Sequence, residues 1–291
     1  MNGIIVLDKP QGKTSHAMVN FIRRMTGIKR VGHTGTLDPM ATGVLPICIG
    51  SATKAADMLT LSDKGYRAEF VLGITTDTED ISGEVLTKTD VNLTVSEITD
   101  AIMSFCGEIE QIPPMYSAIK QNGKKLYELA RQGIDVERQS RQVTIHSIDI
   151  LNIDTEKWTV EIDVICSKGT YIRTLCADIG KKLGTGACMT SLRRTKTGEF
   201  TLDDAYTEEY IEENIEKLEK LVIPVDKMFV EYPAIYLNEK QTRSIVNGVR
   251  MTWRDGIEGQ SYRLYDENKS FLCVSKCIDG RLMLEKSFWN Q

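Results

Sequence analysis

Apolar residues recur along this chain at two different spacings, and the order in which those spacings follow one another restricts the fold to a small class. Residues 3–7 form a short apolar strand. Val19, Ile22 and Met25 then share one face of a helix that Ser15 can cap and that ends before Gly27. Tyr66, Ala68, Phe70 and Leu72 alternate with Arg67, Glu69 and Val71, a strand that continues toward Thr75. Thr94 and Glu97 have capping-box spacing ahead of a helix with Ile98, Ala101, Ile102 and Phe105. Residues 111–123 are a loop around two prolines, 124–132 a short helix stopped by Gly133, and 142–152 and 157–166 two strands. Thr170 can cap a helix with Tyr171, Leu175, Ile179 and Leu183 at spacing four, closed by Gly184, and 188–202 is strand-like. Residues 31–50, with four glycines and two prolines, are expected to be mostly loop. Strands and helices alternate without a regular βαβ period, and neighbouring strands are placed for hairpins. That order predicts an α+β fold rather than a doubly wound one.

The C-terminal part differs. An acidic stretch, read as a helix plus linker near Pro224 and Pro233, is followed by about 60 residues with turn signals at Asn247-Gly248, Asp255-Gly256 and Asp279-Gly280. These predict a small β-rich domain over 231–291 behind a larger one over 1–230. No internal repeat suggests a solenoid. The longest apolar runs, such as residues 44–49, fall far short of the roughly 18–20 residues that span a bilayer. Asp8 and Lys9 break the first apolar stretch too early for a signal peptide. A cytoplasmic protein without membrane contact is expected. The seven cysteines are scattered, and no Cys-x-x-Cys pair accompanies the three histidines at 16, 33 and 146. Reduced, buried thiols and no metal site are expected, Cys273 and Cys277 included.

Net charge is −5, but the average hides its distribution. Residues 203–231 hold ten acids against three lysines, and without them the rest of the chain is +2. Residues 1–60 carry seven Lys/Arg against three acids, and 120–142 carry six against three. A phosphate-binding face is compatible with that pattern, although charge alone fits an ordinary solvated surface as well.

The most informative segment is Gly32-His33-Thr34-Gly35-Thr36-Leu37-Asp38-Pro39-Met40-Ala41-Thr42-Gly43. Pro39 biases Asp38 toward extended geometry, and the flanking glycines and small hydroxyl residues let another backbone or a ligand come close. The glycines fit neither the Walker nor the Rossmann spacing, so no nucleotide cofactor is indicated. In combination, the segment strongly resembles the uridine-pocket motif of the bacterial tRNA pseudouridine-55 synthases, the TruB-type family. The resemblance extends through Leu7-Asp8-Lys9-Pro10-Gln11-Gly12, Asp63-Lys64-Gly65-Tyr66-Arg67-Ala68, Pro113-Pro114-Met115-Tyr116-Ser117-Ala118, Ser167-Lys168-Gly169-Thr170-Tyr171-Ile172-Arg173 and Leu192-Arg193-Arg194-Thr195. Residues 231–291 resemble the RNA-binding PUA domain more loosely, through Val246-Asn247-Gly248 and Gly280-Arg281-Leu282.

The resemblance implies a catalytic domain with a mixed, largely antiparallel central sheet flanked by helices, an RNA-gripping insertion at about 112–141 that acts as a mobile flap, and a PUA-like C-terminal domain. It implies isomerisation of uridine to pseudouridine at position 55 in the T-loop of tRNA. Nothing is oxidised or hydrolysed, so no cofactor or metal is needed. The uracil must leave its stack, at a cost of a few kcal/mol. Asp38 is then the nucleophile, or the group that assists glycosidic cleavage. Attack on uracil C6, attack on C1′ and removal of a sugar proton all need its ionised form, which a water-free cleft disfavours. Arg173 is implied as the ion-pair partner that keeps Asp38 charged. Its place in the first turn of a helix suits the helix dipole poorly, which favours such an anionic partner. Tyr66 would stack on the uracil and relay the C5 proton; Tyr171 and Leu192 would line the pocket, and His33 would support the opened loop. Lys9, Lys13, Lys120, Lys124 and Arg131 would contact phosphates of the T-arm stem-loop. A monomer is expected. The rival reading is a non-catalytic RNA-binding chaperone that helps tRNA fold. A carboxylate glycosidase would want a second placed acid, which the motif segments lack.

Overall fold

Two neighbouring strands of the main sheet are apolar on both faces, and a separate core forms against each face. The computed structural model describes residues 1–60, 62–121 and 123–289. Strand β1 (Gly3–Lys9) sends Ile5 and Leu7 into one core and Ile4 and Val6 into another. Helix α1 (Ser15–Thr26) and the short β2 (Val31–His33) lead to β3 (Thr42–Ile49), which divides Leu45, Ile47 and Ile49 from Val44 and Cys48 in the same way. The expectation of loop over residues 31–50 is therefore wrong for β3. A strand buried on both sides has a continuous apolar run rather than an alternation, and Pro46 and two glycines disguised it.

After β4 (Lys64–Leu72), Gly73 (φ 83°) turns the chain away, so the strand does not continue to Thr75. β5 (Ile74–Thr76) and β6 (Val85–Lys88) form a separate ribbon. Helix α2 (Val95–Met103) opens with the expected Thr94–Glu97 capping box and leads to β7 (Gly107–Gln111). The inserted segment lies between β7 and β8 (Arg141–Asp154), and its short helix covers Leu126–Ala130. β9 (Thr159–Cys166), α3 (Ile172–Lys182), β10 (Ala187–Thr197) and the two-residue β11 (Ala205–Tyr206) complete this part. Residues 188–202 are not one strand, because Gly198 (φ 56°) folds Phe200–Thr201 back onto β10.

The sheet order is β11-β1-β3-β10-β4-β9-β8-β7, with β2 on β3. Among the described residues of this sheet, the β1–β11 and β3–β10 strand pairings are parallel and the others antiparallel. This is the mixed, largely antiparallel α+β sheet that was expected. Helices α1, α2 and α3 cover one face with Val19, Ile22, Ile98, Ile102, Leu175 and Ile179. Each large apolar side chain so buried is worth about 1.5–3 kcal/mol. The β3–β10 approach is close enough to demand glycine. A Cβ on Gly43 (φ 100°) would lie 2.2 Å from the Arg194 carbonyl oxygen.

The acidic stretch is several short pieces rather than one helix. Asn214 ends Glu208–Glu213, and Leu218–Leu221 follows after a 3₁₀ turn. Its apolar residues point inward: Ile211 and Leu218 enter the first core, Val225 and Phe229 the second. Beyond it, β12 (Ala234–Tyr236), α4 (Glu239–Val246), β13 (Met251–Thr252), β14 (Ser261–Tyr265), β15 (Phe271–Ile278) and β16 (Arg281–Ser287) build a five-stranded sheet in the order β12-β14-β15-β16-β13. Phe229, Phe271 and Phe288, with ring centroids 5.2–6.0 Å apart, fasten this sheet to the back of β1 and β3. The seven cysteines are free, and all except Cys106 are buried.

Two capping expectations are corrected. Thr14, not Ser15, caps α1, by accepting from the Ala17 N–H. Tyr171 occupies the N-cap of α3, while Thr170 donates to the Ser167 carbonyl. In each case the predicted cap lies one residue from the real one, within the usual uncertainty of helix ends.

Candidate active site

Asp38 lies on the irregular connection between β2 and β3, and that connection is held from several sides. Ser15, released from capping, accepts from the Leu37 N–H at 2.8 Å and donates to its carbonyl at 3.1 Å. Gly12 N–H donates to the Pro39 carbonyl at 2.7 Å, and the Ala41 N–H to the Asp38 carbonyl at 3.1 Å. Lys9 completes the frame. Its ammonium donates to the carbonyls of Pro10, Pro39 and Ala41 at 2.8, 3.3 and 2.6 Å. Lys9 is 0% exposed, which corrects the expectation that it meets a phosphate: with no surface and three carbonyl partners, it is a clamp beneath the loop. Burial lowers its pKa to about 8, against the pull of Asp38.

Above the loop, Asp38 Oδ2 meets Arg173 Nε at 3.1 Å. Arg173 is the second residue of α3 and is 5% exposed. Its other donors are fully engaged: Nη1 with the Thr78 carbonyl at 3.1 Å and Asp80 Oδ2 at 3.5 Å, and Nη2 with the Tyr116 carbonyl of the insertion at 2.9 Å. One guanidinium thus joins two carboxylates and two chain segments, using the fork geometry that lysine lacks.

Asp80 was not anticipated from the sequence. It sits in a turn after β5, 4% exposed, where Oδ1 accepts from Thr78 Oγ1 at 2.9 Å, from the Ser82 N–H at 3.0 Å and from the Ser82 hydroxyl. The run Thr-Asp-Thr-Glu-Asp-Ile-Ser-Gly signals an Asx turn, but nothing local marks which carboxylate is buried. Asp80 is a second acid near Asp38, yet both of its oxygens are occupied. It is a partner for Arg173 and poorly suited to serve as the second acid of a glycosidase. Burial pushes the Asp38 carboxyl above its usual range; Arg173 and Lys9 oppose that rise and Asp80 adds to it.

The aromatic residues converge on the same place. Tyr66, on β4 between β9 and β10, is half-buried against the main core, and burial raises its phenol pKa while Arg194 lowers it. The negative charge of Asp38 is among the groups acting on both Tyr66 and Tyr171. Leu192, on β10 opposite Ala68, is buried in the main core. Arg194, 1% exposed, supports the loop from below by donating to the Val44 carbonyl at 2.7 Å and the Gly35 carbonyl at 3.3 Å. His33 is half-buried on β2; its Nδ1 accepts from the Gly35 N–H at 3.3 Å, and burial with the nearby Arg194 lowers its pKa.

The remaining cations behave differently from one another. Lys13 is exposed and ion-paired with Glu208 of the acidic stretch. Lys120, Lys124 and Arg131 are exposed on the insertion. Arg131 and Lys125 each approach the ring of Tyr127, at 5.5 and 5.4 Å. No group of His, Cys, Asp and Glu suited to a metal ion occurs among the described residues, and no described helix is long and apolar enough to cross a membrane.

Two family models match the chain: the N-terminal domain of TruB family pseudouridylate synthase over residues 23–172, and the tRNA pseudouridylate synthase B C-terminal domain over 173–230. The tRNA pseudouridine synthase B of Clostridium kluyveri is 46% identical over 292 residues, covering 99% of this chain and 100% of the relative. That of Alkaliphilus oremlandii is 51% identical over 251 residues, covering 86% and 83%. Among solved structures, a chain in the crystal structure of a Cbf5-Nop10-Gar1 complex superposes with a TM-score of 0.73 at 26% identity, covering 99% of this chain and 85% of that one.

Proposed function

The chain belongs to the TruB family and is a pseudouridine synthase, an intramolecular isomerase; from that premise we propose that it isomerises uridine 55 in the T-loop of tRNA with Asp38 as the nucleophile. The relatives' names supply the tRNA. The observation that carries the assignment of the site is the 3.1 Å pair between Arg173 Nε and Asp38 Oδ2.

In the reaction the N1–C1′ bond breaks and a C5–C1′ bond forms, while the proton on C5 is lost and N1 gains one. Electrons balance without an oxidant, so the protein must supply position, charge and proton transfer. Asp38 provides the negatively charged oxygen on a loop that Ser15, Lys9 and Gly12 hold still. Arg173 keeps that oxygen charged when the flipped base drives off water. Tyr66 stacks on the uracil and relays the C5 proton, and base–aromatic stacking is worth about 1–3 kcal/mol. Tyr171 and Leu192 line the pocket, and His33, kept neutral, supports the opened loop of the RNA. Lys120, Lys124 and Arg131 on the insertion, a flap over the substrate, contact phosphates. Lys13 joins them by exchanging Glu208 for RNA. Residues 1–230 form the catalytic domain and 231–291 a PUA-like RNA-binding domain. On this reading the enzyme acts in the cytoplasm as a monomer.

The test is tritium release from a tRNA transcript labelled at uridine C5. Release by the wild type and none by Asp38→Asn at unchanged tRNA affinity is the expected result. Tight binding by the wild type without release would make the protein a folding chaperone, and free uracil would make it a glycosidase.

A further inference from the structure

Tyr171 opens α3 with no side-chain cap, although the arginine that meets Asp38 stands only two residues further on. Its backbone is held instead by a side chain from another element. Gln111, the last residue of β7 and 2% exposed, accepts from the Tyr171 N–H at 2.7 Å through Oε1 and donates through Nε2 to the Tyr171 carbonyl at 3.0 Å. One amide therefore pairs with both polar groups of a single residue, as an adjacent strand would. The Tyr171 carbonyl also accepts the first helical bond, from the Leu175 N–H at 3.0 Å, so the same oxygen ties Gln111 to the first turn of α3.

Gln111 is also where the insertion leaves the sheet. It pairs with Arg141 across β7 and β8, and the chain between them goes out and returns through that pair. The insertion reaches the site on its own account, through the Tyr116 carbonyl that Arg173 contacts. The start of α3 is thus tied to the strand pair where the insertion leaves the sheet, in addition to the contact that Tyr116 makes. We infer that Gln111 is a positioning residue for the isomerisation: it clamps the Tyr171 backbone, and so sets where Arg173 meets Asp38 however the insertion lies. This inference rests on the Asp38–Arg173 reading of the site.

Two variants test it, both assayed by tritium release and by tRNA binding. Gln111→Leu removes both bonds and should lower kcat about 10–100-fold with tRNA Kd unchanged, the scale of a displacement near 1 Å in a reacting group. Gln111→Glu keeps the length and serves if leucine disturbs folding. When neutral it offers the same acceptor and donor as the amide; when ionised it loses the donor and sets a charge against the Tyr171 carbonyl. The titratable and charged groups on the elements around it are Arg141 on β8, Glu110 on β7, and Tyr171 and Arg173 at the start of α3. The introduced carboxyl, moved up from about 4.3 by burial and down by Arg141 and Arg173, sets the window, so the kcat ratio of Gln111→Glu to wild type should rise as the pH falls from about 8 to about 4.5. A Gln111→Leu enzyme with wild-type kcat, one whose affinity falls in step with kcat, or a ratio that is flat with pH would each overturn the clamp. Absence of release from the wild type would instead remove the functional reading itself, before any variant is compared.

Discussion

Replacing Lys9 by methionine separates the two roles a lysine in this motif can have. As a phosphate contact it would face solvent; as found, it is fully buried on the carbonyls of Pro10, Pro39 and Ala41. Burial lowers its pKa from 10.5 to about 8. Between those values the unfolded chain holds the proton more tightly than the folded protein does, so stability rises with pH through that window. One pKa unit is about 1.4 kcal/mol, which makes the whole rise about 3 kcal/mol, of which about 2 falls between pH 8 and pH 10. Lys64, also buried and lowered to about 8, contributes with the same sign and stays in the variant. It therefore cancels in the comparison. Lys9→Met removes one proton site, so its stability deficit against the wild type should grow by about 2 kcal/mol from pH 8 to pH 10, read from denaturant unfolding at stepped pH. The slope of log K against log salt for tRNA binding should be unchanged, because a phosphate contact adds about one to that slope. A deficit independent of pH, together with a salt slope shallower by about one, would return Lys9 to the RNA surface and refute the reasoning.

Arg173→Lys keeps a positive charge, but a single ammonium cannot span Asp38, Asp80 and the carbonyls of Thr78 and Tyr116. Single-turnover rates should fall by about 100-fold or more while tRNA affinity changes by less than about 3-fold, and equal losses would reduce Arg173 to a phosphate contact. Asp80→Asn removes a negative charge that pushes the Asp38 carboxyl upward. Because catalysis needs ionised Asp38, the acid limb of the rate profile should move to lower pH. A limb that stays in place or moves up would mean that Asp80 acts on Arg173 alone.

What could be read from the sequence, and what could not, divides by the range of the interactions. The alternation of β4, the Thr94–Glu97 box and the α+β order are set by neighbours along the chain, and they are present as expected. Asp38, Tyr66 and Arg173 were found through a motif resemblance, and geometry joins Asp38 to Arg173 across a long separation in sequence. The residues that support them gave no local signal. Lys9 looks like any surface lysine until carbonyls 30 and 32 residues away close on it. Gln111 looks like a strand-end polar residue until α3 starts beside it, and Ser15 like a cap until Leu37 takes its hydroxyl. Strand β3 hides for the related reason that both of its faces are interior.

The same long-range contacts explain how Asp38 remains chemically useful. Taken alone, a carboxylate half removed from water would rise in pKa and lose its charge. Here it belongs to a cluster of two carboxylates, Asp38 and Asp80, and two cations, Arg173 and Lys9. That cluster is neutral as a whole, so the cost of burying it is far below that of burying one isolated charge. When a base covers Asp38 and water leaves, the attraction of both cations strengthens together with the desolvation that opposes it. Of the two, only Arg173 makes a direct ion pair with the carboxylate, while Lys9 acts from beneath through the loop it holds. Charge and position are therefore maintained by different residues, which is why Arg173→Lys is expected to change the rate and Lys9→Met the stability.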